Sequence, residues 1–485
     1  MVQPQAPPAI AASPAAPVPA AQTGYNITLV SAGPYRPRVI VALRQVLGLN
    51  PSDASAFVAS APVLLAVELS FEVAERLRAA LVGAGAVVQV QAPAPSPTPA
   101  QARPPKPEPQ RNLSSLARVH RERPARRGAR TITGLALGRG YSYLAYARAD
   151  GRRLLAPPDF VRFDARTMVP SAVKLSAGGS ADLFGQAALG LWPQAPDEVS
   201  LGFAGEIGAD SGEAAQAARS FLTMLCYRLV EVLGPGSVDS HEGAATALGV
   251  PPDWPEERMQ ALAEVVEQSG FPLAMLVPEP LAAAAFHLQK APRDTEHAMV
   301  LDWGSQGLGI SFVEIRGEGS PPVVIDHTEL PLGGMWFDMM IENWLLQHLQ
   351  LELSDEDHRA LALLARDFKE EASRSFAEGR NEHVQYCVIP AGDPPTRISM
   401  TRVEMDQLLT EARKQLQDAL VEAPGRIGFR PVHLDHVILA GGSARWYFAG
   451  DAVRAALDRP PILAPNPEET IARGLAICAV TQLKK

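Results

Sequence analysis

Short glycine turns recur in order along the last three-quarters of this chain: Gly134–Ser142, Asp302–Gly309, Gly333-Gly334 and Gly441–Arg445. Two of them follow apolar, strand-like runs. Ala298–Asp302 leads into Trp303-Gly304, and His436–Ala440 leads into Gly441-Gly442-Ser443-Ala444-Arg445. Glycine at such a turn lets backbone N–H groups approach a phosphate or a base with no Cβ in the way. One turn says little, because strands often end in glycine. Four at wide, ordered separations imply a single nucleotide held between two lobes. Phosphoryl transfer there would need metal ions, a positioned water and a cation near the terminal phosphate.

Several residues also have plainer readings. Asp302 could cap a turn, and Glu279 could be a favourable first-turn acid of the helix Pro280–Leu288. Lys369 and Ser373 lie four apart, as on an exposed helical face. His433 and His436 resemble a ligand pair, yet Val432, Leu434 and Val437 around them suit ordinary strand histidines. Ser443 has no matching His–Asp pair. Trp303, Trp336 and Trp344 read as core.

The elements that position these residues follow from the pattern. Residues 1–23 are Ala, Pro and Gln without periodicity, a disordered tail. Residues 24–91 read as a small α/β domain. Its strand holds Ile27, Leu29 and Val30, and its helices run over Pro37–Leu47, from Pro51, and over Ser70–Leu81. Gly83-Ala84-Gly85 and the strand Ala86–Val90 close it. Residues 92–130 are Pro-rich and then basic, which reads as a solvated linker or, alternatively, as a contact site for an acidic partner or RNA, though no aromatic residues lie among its arginines to stack on bases. From residue 131 to 485 strand and helix alternate. Thr131–Leu137 and Tyr141–Ala147 form a hairpin around Gly138-Arg139-Gly140, Glu256–Gln268 is an amphipathic helix, and Ala298–Gly317 repeats the hairpin.

Composition bounds the function. Of 485 residues, 47% are hydrophobic, ample for buried cores, and the net charge is −9. Bulk attraction to nucleic acid or an anionic membrane is therefore not expected. Cys226, Cys387 and Cys478 are far apart in apolar surroundings and read as reduced thiols. No basic, apolar leader opens the chain and no apolar run of about 18 residues occurs. The expected location is cytoplasmic.

The ordered turns resemble the actin-like ATPase superfamily, and within it the nucleotide-binding domain of heat-shock-70 chaperones. The resemblance runs from Thr131 to about Val480. Gly134-Leu135-Ala136-Leu137-Gly138 stands at the first phosphate loop. Val169-Pro170-Ser171, Phe184-Gly185-Gln186-Ala187-Ala188, Val250-Pro251 and Glu279-Pro280-Leu281-Ala282-Ala283-Ala284 follow family segments. Asp302-Trp303-Gly304 stands at the second phosphate loop, and Leu332-Gly333-Gly334 to Phe337-Asp338 at the next turn. Lys369 and Ser373 fall on the adenosine helix. Gly441 to Arg445 matches the adenine-side turn, and Asn466-Pro467-Glu468-Glu469 to Gly474 the final segment. The implied fold is α/β and two-lobed. The implied ligands are ATP or ADP with Mg²⁺. The implied nucleotide contacts are Gly138, Gly304, Gly333, Gly334, Lys369, Ser373, Gly441, Gly442, Ser443 and Arg445. Asp302 would hold the metal and Glu279 would orient the water. The chain stops at Lys485, just after that last matched segment, so the family's peptide-binding domain is expected to be absent.

Residues 24–91 resemble the C-terminal domain of the bacterial ribosomal stalk protein. Arg44 falls on a partner-contacting arginine, but Val41 and Ser55 replace contact lysines, and Asp53 and Glu68 add negative charge. A protein partner other than a translation GTPase is expected for this module.

The nucleotide-binding portion departs from the family where catalysis is done. Ala136 replaces a metal-holding aspartate. Gly307 and Gly309 replace a threonine and an aspartate of the second loop. Arg366 replaces a glutamate on the adenosine helix. No lysine lies between Lys174 and Lys290, where the catalytic lysine belongs. Three readings stay open: a catalytically degenerate nucleotide-binding protein acting in interaction or regulation, a slow chaperone-like ATP hydrolase, and a filament-forming actin homologue. If 92–130 is a linker, limited trypsin digestion cuts there first and leaves two stable fragments. Protection of that stretch would show that the domains dock through it.

Overall fold

The computed structural model describes residues 130–482, with short breaks at 152, 209–211, 289–293, 317–320, 350–352 and 390–394, and parts of 23–91. The N-terminal unit is a three-stranded antiparallel sheet. Strand β1 (Thr23–Ser31) lies between β2 (Val63–Ser70) and β3 (Val87–Gln91). Ile27 and Leu29 of β1 are buried with Val39, Leu43, Ala54, Val58, Leu77 and Leu81. The spacing of those six fits the helical faces read from the sequence. The strand β2 has no counterpart among the sequence expectations, and Ser70, expected to cap a helix, is its last residue. Arg44, Val41 and Asp53 lie outside the described residues, as does the side chain of Glu68.

The second unit is built on two sheets with one plan. In the first, β4 (Arg130–Leu137) pairs antiparallel with β5 (Tyr141–Asp150) and parallel with β6 (Ala245–Val250), which pairs parallel with β7 (Leu273–Pro278). In the second, β8 (Glu296–Trp303) pairs antiparallel with β9 (Leu308–Ile315) and parallel with β11 (His436–Ala440), and β11 pairs parallel with β12 (Ile462–Leu463). Strand β10 (Val323–Leu330) extends the second sheet beyond β9. The repeated hairpin read from the sequence is thus the nucleus of each sheet. The turns 138–140 and 304–307 occupy matching places in the two halves.

Between the sheets run two helices, Glu279–His287 and Thr470–Gln482. Their small side chains explain how closely the layers approach. Ala282, Ala283, Ala284, Ala472 and Ala476 are buried together with Ile132 and Ala247 of one sheet and Val300 and Ile438 of the other. A Cβ on Gly474 would overlap the Ala282 carbonyl oxygen. Each sheet's far side carries its own core, around Phe221 and Leu222 in one lobe and around Trp303, Phe337 and Phe368 in the other. Glu256–Gln268 forms the expected helix and buries Met259, Leu262, Ala263, Val265 and Val266.

The helix contact at Gly474 is open to test. Gly474→Ala should destabilise the fold by about 1–3 kcal/mol through overpacking, read as a lower urea midpoint. Gly190→Ala, where nothing lies within 4 Å of the added methyl, should not lower it. Equal midpoints for both variants would contradict this packing.

Candidate functional site

Each lobe presents its hairpin turn to the other. A Cβ built on Gly140 would lie 3.0 Å from Ser305 Cβ, so the first-lobe turn touches the second-lobe turn. The Gly138 carbonyl accepts from Ser171 Oγ at 2.6 Å, which fixes the first turn to the segment Val169-Pro170-Ser171. In the second turn the Gly304 amide donates to Gly307 O at 3.0 Å.

The next glycine pair is bound to that turn. Gly334 N–H donates to Gly304 O at 3.0 Å and Met335 N–H to Ser305 O at 2.8 Å. A Cβ on Gly333 would overlap the Gln306 backbone. The amides of Gly304 and Gly334, which the sequence offered to a phosphate, therefore already have protein acceptors. Close approach of backbone to backbone, rather than free donors, is what these glycines secure here.

The adenine-side turn closes the same cluster. Gly441 has φ 83°, donates to Pro467 O at 3.0 Å, and a Cβ there would overlap the Trp303 carbonyl and lie 3.0 Å from Asp302 Oδ1. Ser443 Oγ donates to Gly304 O at 3.1 Å. Gly442 has nothing within 4 Å of a built Cβ. Arg445 is tied by two short hydrogen bonds to Glu468 and one of 3.0 Å to Asn466 Oδ1. Beside that pair lies an open pocket of about 440 Å³, whose lining includes Arg162, Arg166, Thr167 and Arg473.

Lys369 and Ser373, on the helix Asp355–Ala377, correct the exposed-face reading: they are 7% and 6% exposed. Lys369 Nζ sits 2.6 Å from Asp338 Oδ1 and donates to Gly334 O at 3.1 Å. Ser373 Oγ accepts from Tyr447 N–H at 3.1 Å and donates to Arg445 O at 3.4 Å. Arg366, one turn earlier, reaches Asp338 at 3.5 Å and lies 5.6 Å over the Tyr141 ring of the other lobe. The histidines make no ligand pair. His433 sits in the turn Pro431–His433 and accepts from Arg430 N–H, while His436 Nε2 meets Glu296 at 2.9 Å.

Asp302 and Glu279 come together in the cleft. Burial pushes both carboxyls up, and each feels further acids: Asp302 and Glu329 act on Glu279, and Glu329 acts on Asp302. Glu279 also packs against Gly249, whose Cβ would sit 3.3 Å from Glu279 Cγ. Glu329 flanks Gly307, and its own carboxyl is raised by burial and by Asp253. Like charges crowded in low dielectric favour protonation or a bound cation.

The sequence reading looked for a lysine here and missed two guanidinium groups. Arg139 packs over Gly205, where a Cβ would overlap Nε. Arg258 donates to Ile207 O at 2.9 Å and to Gly205 O, and stacks 3.7 Å over Trp254. Burial lowers both, and Arg139 lowers Arg258 further. The Gly138-Arg139-Gly140 turn was visible in the sequence, but not the direction of its side chain.

Comparison with known proteins accords with this geometry. The family model for Hsp70 protein matches residues 241–483, just over half of the 485 residues. The chain belongs to the Hsp70 family. A second model, the ribosomal protein L7/L12 C-terminal domain, matches 25–91. The two-lobed unit is thus an Hsp70 actin-like ATPase fold, and the Hsp70 relatives carry chaperone names. The chain is 29% identical over 237 residues to a chaperone protein HscA homolog of Acinetobacter baumannii, covering 47% of this chain and 36% of that protein. It is 29% identical over 239 residues to chaperone protein DnaK of Thermus thermophilus, covering 47% of this chain and 38% of that protein. It therefore spans little more than a third of the length of these Hsp70 relatives. Among the described residues no helix is long and apolar enough to cross a membrane.

The crowded acids give a sign for pH. Raised folded values mean that the native state binds more protons than the unfolded chain. Their stability contribution is present below the ordinary carboxylate range and is lost as pH rises through the folded values. Melting temperature without divalent ions should fall from pH 5 towards neutrality, and Glu279→Gln should flatten that fall. An unchanged slope in the variant would place the effect elsewhere.

Proposed function

We propose that the two lobes hold an adenine nucleotide with magnesium, and that this Hsp70-family protein is degenerate in catalysis and works by interaction or regulation. One observation carries the reading: the turns of both lobes, the Gly441–Arg445 turn and Asp302 meet in one cluster. The donor chemistry suits the metal. Asp302 offers a hard oxygen, and since no three acid, histidine or cysteine side chains among the described residues are grouped to hold a metal, a magnesium ion would keep most of its water shell and bind through Asp302 and the phosphates. Magnesium would supply charge neutralisation at the phosphates. Asp302 would orient its water shell, and Ser443, Ser373 and Arg445 would frame the nucleoside.

Hydrolysis is poorly supported by the same residues. Ala136 is a buried methyl in β4, where an acid of the metal shell would be needed. Loss of one electrostatic group typically costs about 10²–10³ in rate. The N-terminal module serves as the contact to a protein partner, and the exposed Ser55 at a contact position weakens the case for a translation GTPase. None of Cys226, Cys387 and Cys478 is in a disulfide, which suits the cytoplasm.

Calorimetric titration with ATP and MgCl₂, followed by a turnover assay, tests the proposal. Binding should appear, and saturating nucleotide at 100 times Kd should stabilise the fold by about 2.7 kcal/mol. Gly442→Trp should abolish binding without lowering the unliganded melting temperature. Turnover should be negligible. Robust turnover lost in Glu279→Ala would instead make the protein an active ATPase, and no binding of any nucleotide would make it a scaffold.

A further inference from the structure

The first turn carries a cation that the family comparison does not assign. Arg139 lies between Gly138 and Gly140, and Gly140 is the point at which the two lobes' turns touch, against Ser305. The guanidinium therefore rises from the junction of the two phosphate turns. On one side it is seated on Gly205, beside Glu206 of its own lobe. The Glu329 carboxylate of the second lobe, which flanks Gly307, attracts it from across the cleft.

Its neighbours fix its role. Arg258 is held by the carbonyls of Ile207 and Gly205 and by the Trp254 ring, so it cannot turn away. Arg139 has no such anchor: its guanidinium makes no hydrogen bond to a described residue. Two neighbouring guanidinium groups repel, and burial strips water from them. The acids nearby compensate incompletely, because desolvation outweighs Glu206 and Glu329 in setting the Arg139 value. Glu329 is itself pushed towards its neutral form by burial and Asp253. A forked, always-charged donor without a hydrogen-bond partner among the described residues, beside two glycine turns, is suited to a bidentate oxyanion.

We propose that Arg139 is the phosphate-binding cation of this site, gripping the terminal phosphate of the nucleotide from the turn itself in place of a lysine elsewhere in the first lobe. The proposal rests on the nucleotide-binding reading above. Arg139 holds charge and orientation; with Ala136 in place of an acid, it confers preference for a polyphosphate rather than turnover. Because the guanidinium contacts only the distal phosphate, adenosine and AMP bind without it.

The test is calorimetric titration of the full chain with ATP, ADP, AMP and adenosine, each with MgCl₂, for wild type, Arg139→Gln and Arg139→Lys. Unliganded melting temperatures check that the variants fold. Charge-assisted hydrogen bonds predict a loss of ATP affinity of about ten- to a hundredfold in Arg139→Gln. Adenosine and AMP affinities should stay within about twofold, and Arg139→Lys should recover part of the loss. ATP affinity that is unchanged in Arg139→Gln overturns the assignment while leaving the nucleotide reading standing. Tighter ATP binding in Arg139→Gln also overturns it, and makes the guanidinium an internal plug. Wild type that binds neither ATP nor adenosine overturns both.

Discussion

Half-buried carboxylates in the cleft, Asp302 and Glu279, set the terms for the rest of this molecule. Asp302 and Glu279 come from different lobes, one at the end of a central strand and one at the start of a central helix. They are pushed together because the lobes are pushed together. The helices Glu279–His287 and Thr470–Gln482 lie between the sheets with alanines and Gly474 at their contacts, so no bulky side chain spaces the layers. Isolated buried charges of one sign are costly. Such a cleft is eased by protons, by a cation or by an arginine, and the chain provides Arg139 in the first turn of the fold.

Around this core the polar groups are organised as one network rather than as separate subsites. Gly304 accepts from both Gly334 and Ser443. Gly334 accepts from Lys369, Lys369 pairs with Asp338, and Asp338 also holds Arg366, which lies over Tyr141 of the opposite lobe. A ligand phosphate would compete with hydrogen bonds already made within the second lobe. That makes the second lobe a preformed wall. The adjustable donors lie in the first lobe and at Gly442, where the space is open.

The fold was legible because its signals are local. Alternating strands and glycine turns at Gly134–Ser142 and Asp302–Gly309 announced both hairpins, and the same register appears in both sheets. The helix Glu256–Gln268 was legible from its apolar period. The strand Val63–Ser70 was not, since VLLAVELS sits between two helical stretches without a turn dipeptide to mark it. Within the site, residue types were readable but their partners were not. Lys369 and Ser373 looked solvent-facing at a spacing of four, yet tertiary packing buries them. The phosphate-side glycines looked like free donors, yet the Gly304 amide donates to Gly307 within its own turn and the Gly334 amide to Gly304. Arg139 stood in plain view inside a quoted turn, and only the packing of Gly205 and the proximity of Glu329 reveal where its charge lies.

Hydrogen–deuterium exchange of the full chain, with and without ATP and magnesium, tests the shared cleft most directly. Protection should rise together in peptides covering 134–143, 302–309, 333–338 and 441–446, since one ligand bridges turns from both lobes. Protection confined to one lobe, or to the pocket beside Arg166 and Arg473, would contradict a single nucleotide held between them.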